Sequence, residues 1–180
     1  MAEGSYDVVL LVEQPLSARD AQQVTELHTD YDEPVAYHVL LPVEDAAARV
    51  ETAMGALTSG DTLVAAPMML DQDEVAQMQR ELLDQARADL ATCVSSLQAA
   101  GGTASGDLVT AEPIEALAAK VAEVSAAEVI VLTRPHVVSE FFHVDWTSRA
   151  RRKLGVPVLH LLEHETFDEQ AGGGEGVSGM

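Results

Sequence analysis

Half of the basic side chains in this acidic chain lie in one short stretch. The chain has 10 lysines and arginines against 30 aspartates and glutamates, a net charge of −20. Because guanidinium groups bind phosphate through paired hydrogen bonds, such a cluster could form an anion site. The alternative is the solvated face of a helix near its C-terminus, which could also meet an acidic patch on a partner. The cluster comprises Arg134, Arg149, Arg151, Arg152 and Lys153.

Glu13 and a pair of histidines are the other side chains with evident binding chemistry. Glu13 follows an apolar run and could accept hydrogen bonds from a ribose or an adenine, or could be an exposed carboxylate at a strand end. His136 and His143 lack both a third ligand and the HxH, HExxH or CxxC spacing of metal sites. We therefore predict loop histidines and no metal.

Catalytic motifs are missing from the sequence. It has no G-x-S-x-G elbow, no Walker-type loop and no nucleophile next to a plausible base. Triads assemble in space rather than along the chain, so only a fold can test for one. On the sequence alone we expect a protein that is not an enzyme.

The composition limits which classes of protein this chain can belong to. A chain of 180 residues fits one domain, and 47% apolar residues suffice for a core. The sequence has no uncharged apolar run of about 18 residues, so it predicts no membrane span. Residues 1–7 lack the pattern of a secretory signal. The single cysteine, Cys93, is expected to be a small buried hydrophobe in a cytoplasmic protein. The negative charge would repel nucleic acid.

Strand-like and helix-like patterns alternate along the chain. Short runs rich in β-branched residues predict strands at 6–12, 35–43, 106–110, 128–133 and 156–162. Helix signals lie between them: the Ser17-x-x-Asp20 capping pattern, an amphipathic stripe from 71 or 73 to about 100, Pro113 at a helix start, and a run from Asp145 that ends at Gly155.

This alternation predicts an α/β fold with a doubly wound, five-stranded parallel sheet and helices on both faces. Ligands bind such sheets at the carboxyl ends of the strands, near the topological switch point. The predicted domain covers residues 1–165, with an irregular insertion at 44–70. The acidic, glycine-rich tail at 166–180 is predicted to be disordered.

Four segments resemble the universal stress protein family. They are Glu13 after the first strand, the HVLLPV run at 38–43, the GDLVTAEPIEAL run at 106–117 with AAEVIVL at 126–132, and GVPVL at 155–159. The similarity extends over residues 5–162. It implies the five-stranded, Rossmann-like fold and a homodimer paired through the last strand, here 156–162. One branch of that family binds ATP and another does not.

The resemblance fails at the loop that holds ATP phosphates. The ATP-binding branch has G-x-x-G, then about nine residues and G-[ST] after the fourth strand, and glycine lets successive N–H groups converge on phosphate. The matching segment here, 133–146, has no glycine. Pro135 lacks an N–H and Asp145 would repel phosphate. Phe141, Phe142 and Trp146 either line a pocket or plug the space that the loop would leave.

These arguments predict a non-enzymatic stress-response or regulatory module. It would act as a homodimer through an unidentified protein partner, without a cofactor and without binding ATP in the family manner. The alternative is a small-molecule binder that holds ATP, AMP or another anion through side chains. The candidate pocket for that ligand comprises Glu13, Val39, Arg134, His136, Ser139 and Arg149.

Overall fold

A computed structural model describes residues 4–43, 72–133 and 151–162 of the chain. Its strands are β1 (Tyr6–Val12), β2 (Val35–Pro42), β3 (Thr103–Val109), β4 (Glu128–Thr133) and β5 (Val158–Leu162). Its helices are α1 (Ala18–Glu26), α2 (Gln72–Ala99) and α3 (Pro113–Val124), and residues 151–154 are also helical. The predicted insertion at 44–70 and the predicted tail at 166–180 lie outside the described residues.

The five strands form one parallel sheet in the order β3-β2-β1-β4-β5. The prediction of a doubly wound α/β fold is confirmed. β1 lies at the centre, with Val8 in register with Tyr37 of β2 and with Glu128 of β4. The chain builds outward from β1 in one direction and then continues on its other side. The carboxyl ends of β1 and β4 therefore form the topological switch point.

Apolar layers cover both faces of β1. Val8 and Leu10 point into a layer with α1 and α2, whereas Val9 and Leu11 point into a layer with α3. A strand covered on both sides needs apolar residues at successive positions, which explains the uninterrupted VVLLV run. Cys93 of α2 is fully buried in the first layer, as expected for a small hydrophobe.

The predicted helix boundaries depend on capping groups that the structure shows. Asp20 N donates to Ser17 Oγ at 3.1 Å and Ser17 N donates to Asp20 Oδ2 at 3.2 Å, a complete capping box. α2 ends before Gly101, whose φ of 93° is readily adopted only by glycine. Pro113 begins α3, and Gly155, with φ 68°, follows the helical residues 151–154.

The strand boundaries differ most from the prediction at the starts of β3 and β5. β3 begins at Thr103 and not at Gly106, because its first residues are small and polar and gave no apolar run to detect. β5 begins at Val158 and not at 156, since Pro157 has no N–H to contribute to a ladder, although its carbonyl accepts from Val129 N at 2.9 Å. No helix in the described ranges is both long and apolar enough to cross a bilayer.

Candidate functional site

The switch point is bordered by the segment that follows β1. Leu16 N donates to Cys93 Sγ at 3.4 Å, and Ser96 Oγ donates to the Leu16 carbonyl at 3.2 Å. Two side chains of α2 therefore fix the path of the chain between β1 and α1. Glu13, on this segment, is half-buried. Glu13 directly follows β1 and so lies at the carboxyl edge of the sheet, and its role in binding stays a prediction.

The amino end of α1 also faces this edge, and some of the N–H groups there are already bonded to side chains of the same segment. A free helix N-terminus attracts phosphate through unpaired N–H groups and the helix dipole. Here the N–H groups of Ser17 and Asp20 are bonded within the capping box. The Asp20 side chain is 1% exposed and accepts from Ser17 Oγ at 2.5 Å. Its carboxylate places a negative charge where a phosphate would need a positive field.

At the end of β4, a hydroxyl and an imidazole are paired. Thr133, 7% exposed, lies with its Oγ1 2.7 Å from Nε2 of His160 on β5. Burial lowers the pKa of His160, because removal from water disfavours the imidazolium. The ring is thus neutral at pH 7 and offers no charge to an anion. This pair was missed in the sequence, since 27 residues separate the two side chains and only strand pairing brings them together.

The six predicted pocket residues are only partly described. Glu13 is at the switch point, whereas Val39 is fully buried in β2 within the layer of α1 and α2, so its side chain serves the core. The other four lie outside the described residues: Arg134, His136, Ser139 and Arg149. The pocket as a unit remains a prediction.

The described part of the basic cluster makes contacts within the domain. Lys153 forms an ion pair with Glu115 in the first turn of α3, and Arg151 donates to the Val158 carbonyl at 3.4 Å. Both basic residues are exposed, whereas Leu154 is 7% exposed and packs inward. For residues 151–154 this agrees with the interpretation as a solvated helix face.

A second polar cluster lies at the opposite, amino end of the sheet. His28 Nε2 is 2.5 Å from Glu128 Oε1, and His28 Nδ1 is 3.0 Å from the Tyr37 hydroxyl. Tyr6 donates to Glu128 Oε2 at 3.5 Å and packs on Tyr31 with ring centroids 4.5 Å apart. All three tyrosines of the chain therefore belong to this cluster, which joins the end of α1 to β1, β2 and β4.

Burial raises the pKa of two of these tyrosines, Tyr37 and Tyr6. It raises the pKa of Tyr37 to about 12, with the negative charge of Glu128 as the smaller cause. Burial also raises the pKa of Tyr6, helped by its hydrogen bond with Tyr31. In the part of the chain that the structure describes, no three His, Cys, Asp or Glu side chains are grouped as metal ligands.

Similarity of this chain to known proteins is detected in its fold and not in its sequence. No family model matches the sequence, and no curated protein is detectably similar to it. Solved structures do match. A universal stress protein from Archaeoglobus fulgidus is 14% identical, with a TM-score of 0.50, and the match covers 87% of this chain and 93% of that one.

Two further solved structures also have a fold similar to that of this chain. The hypothetical protein MJ0577 is 10% identical with a TM-score of 0.57, over 89% of this chain and 99% of its own. The hypothetical protein PH0823 is 14% identical with a TM-score of 0.53, over 89% and 98%. The chain has the α/β fold of universal stress proteins.

Proposed function

We propose that this chain, which has the universal stress protein fold, is a regulatory module that acts through protein contacts as a homodimer and does not bind ATP in the family manner. One observation carries the proposal: the sequence after β4 offers no glycine that would let successive N–H groups converge on a triphosphate. The sequence has no glycine from residue 107 to residue 154. The amino end of α1 at the same edge carries the buried Asp20 carboxylate.

The chemistry of a triphosphate explains why these features matter. Its charge has to be met by convergent N–H groups or by cations, because desolvated phosphate oxygens without partners are costly. Of the edge residues in the described ranges, Glu13 and Asp20 are acidic, Arg19 in the first turn of α1 is basic, and His160 is neutral at pH 7. The two carboxylates disfavour an anion at this edge, and the neutral imidazole adds no positive charge.

Titration calorimetry with ATP and with AMP tests the nucleotide part of the proposal. We expect no binding heat for ATP at micromolar protein, since the segment after β4 has no glycine with which to form a phosphate loop. Micromolar affinity for ATP would contradict the proposal and favour the side-chain anion pocket instead. In that case Arg134→Ala should abolish the affinity, while Arg80→Ala, an exposed arginine on α2, should leave it unchanged.

The dimer is proposed from the character of the last strand. β5 ends the sheet in the described part of the chain, and its residues VLHLL carry no Lys, Arg, Asp or Glu. The other end strand, β3, carries Asp107, which is paired with Lys120 at 2.9 Å. Edge strands without charge or proline are templates for pairing with another strand. A second copy of β5 would satisfy that edge.

Light scattering tests the dimer. We expect a mass of twice 19.1 kDa for the native chain. Leu162→Lys at the end of β5 should reduce the mass to that of one chain, because an ammonium group resists burial between strands. The matched variant Thr103→Lys places the same charge on β3 and should remain dimeric. A native chain that is monomeric at every accessible concentration would refute this part of the proposal.

A further inference from the structure

Three polar side chains form a row across β1, β2 and β3 on the face that α3 packs against. His38 is in register with Val9 on one side and with Ser105 on the other, and Asp7 lies two residues before Val9. Asp7 Oδ1 is 2.7 Å from His38 Nε2, and Ser105 Oγ is 3.3 Å from His38 Nδ1. A carboxylate, an imidazole and a hydroxyl are thus connected in series.

The chemistry of these groups fixes the direction of the hydrogen bonds. An ionised carboxylate only accepts, so the neutral imidazole carries its proton on Nε2 and donates it to Asp7. Nδ1 is then an acceptor, and the Ser105 hydroxyl donates to it. Ser5 Oγ donates to the second Asp7 oxygen at 2.7 Å, which further orients the carboxylate. This is the arrangement in which a serine can lose its proton to a histidine held by an acid.

We propose that Ser105, His38 and Asp7 form a nucleophile, a general base and a positioning carboxylate that react with uncharged or cationic acyl donors. The ring is reversed relative to the common triad, with the serine at Nδ1. With the imidazole proton on Nε2, Nδ1 carries the in-plane lone pair and can take the proton from Ser105. A separation of 3.3 Å is typical of such contacts before a substrate tightens them.

The accessibility of the row fits a reactive group. Asp7 and His38 have side chains 19% and 20% exposed, whereas Ser105 is exposed on the end strand β3. The oxygen that would attack is therefore open to a substrate, while the groups that orient it are sheltered.

A main-chain donor lies beside the serine. Val43 N donates to the Val109 carbonyl at 2.8 Å, which identifies the β2 residues that face β3. By the alternation of a parallel ladder, the N–H of Gly106 then points away from β2, toward the outer edge of β3. Gln98 Nε2 donates to the outward carbonyl of Ala104 at 3.3 Å, as this alternation requires. The amide that follows Ser105 is thus placed to donate to an oxyanion.

The charge of the protein selects the substrate class. A net charge of −20 repels anionic donors. The nearby Lys120 is bonded to Asp107 at 2.9 Å and to Glu123 at 2.8 Å, so its charge is offset. Uncharged and cationic esters are therefore the substrates that this charge distribution favours.

The reaction is an acyl transfer that balances without any further reagent. Ser105 Oγ bonds to the ester carbonyl carbon while its proton passes to His38 Nδ1. The bond to the leaving alcohol then breaks, and the alcohol departs with that proton. Water repeats the sequence on the acyl-serine, and the acid is released.

A fluorophosphonate probe tests the proposal on the full-length chain. In this labelling the Ser105 oxygen bonds to phosphorus, the P–F bond breaks, and fluoride leaves with the proton. We expect one label per chain, mapped to Ser105 by peptide mass spectrometry and absent from Ser105→Ala. His38→Gln, which keeps a polar side chain in the row, should lower the labelling rate by about 100-fold or more.

Two comparisons separate a reactive site from a structural one. Asp7→Glu should restore part of the rate that Asp7→Asn loses, because only the carboxylate orients the imidazole. Ser95→Ala, an exposed serine on α2, should label like the native chain. Circular dichroism confirms that each variant is folded. Absence of label, label spread over exposed serines, or a native rate in folded His38→Gln would overturn the proposal.

The inference is independent of the proposed function. The row lies in the amino-terminal half of the strands, whereas the nucleotide argument concerns their carboxyl ends. ATP binding would refute the proposed function without affecting the labelling of Ser105. Failure to label Ser105 would leave the calorimetric result intact.

Discussion

Replacing Glu128 by alanine should lower the free energy of unfolding by about 2 to 3 kcal/mol, because it removes the partner of a buried imidazole and of a tyrosine. The His28 side chain is 3% exposed and loses the carboxylate at 2.5 Å. The control is Asp84→Ala. Its carboxylate pairs with Arg87 at 2.9 Å, but both side chains are more than half exposed, so it should cost less than about 1 kcal/mol. Urea unfolding measures both.

Tyrosine absorbance at alkaline pH gives this prediction a second readout. In Glu128→Ala the pKa of Tyr37 should fall from about 12 but stay above 10.0, since burial is the larger cause of the shift. An unfolded tyrosine ionises near 10.0, so the folded chain keeps this proton to higher pH. Stability should therefore decline as pH rises from 10 toward 12. An unchanged titration curve in the variant would show that Glu128 does not act on Tyr37.

Leu10→Ala should be at least as destabilising, by about 3 to 5 kcal/mol, through a cavity at the centre of the sheet. Leu10 lies between Val39 of β2 and Ile130 of β4 in the register, and all three are fully buried. Their backbone positions are fixed by two ladders, so the site cannot collapse around the smaller side chain.

The half-buried Leu27 at the end of α1 provides the matched substitution. Leu27→Ala removes the same atoms, but part of the side chain already contacts water, so it should cost about half as much or less. Urea unfolding of the two variants, with equal m-values, makes the comparison. Equal losses of stability would contradict the placement of Leu10 in the interior.

Local patterns were sufficient to predict most of the fold. The β-branched runs identified all five strands, and Ser17, Pro113 and Gly155 marked helix ends through interactions within a few residues. Prediction from the sequence was least accurate where the chain is polar and at the edge of the sheet. Thr103 and Ser105 belong to β3 because they pair with β2, and no alternation of apolar residues in the sequence predicts that pairing.

The polar clusters depend on strand order and register, which spacing along the chain does not encode. His28 and Glu128 are 100 residues apart, and His38 and Ser105 are 67 apart. Asp7, His38 and Ser105 align only because β3, β2 and β1 are neighbours with matched register. The sequence could predict Glu13 at the switch point, since position after the first strand was enough. It could not predict a row across three strands.

The central position of β1 has a consequence for synthesis on the ribosome. Of the described strands, β1 is translated before the others and β2 follows within a few dozen residues, but the partner on the other side of β1 begins at Glu128. Until β4 is translated, a nascent chain therefore carries unpaired N–H and C=O groups of β1 between apolar side chains, at a stage when other chains are close by. Closing so long a loop is slow. Shielding of this edge by a chaperone should therefore raise the yield of folded protein.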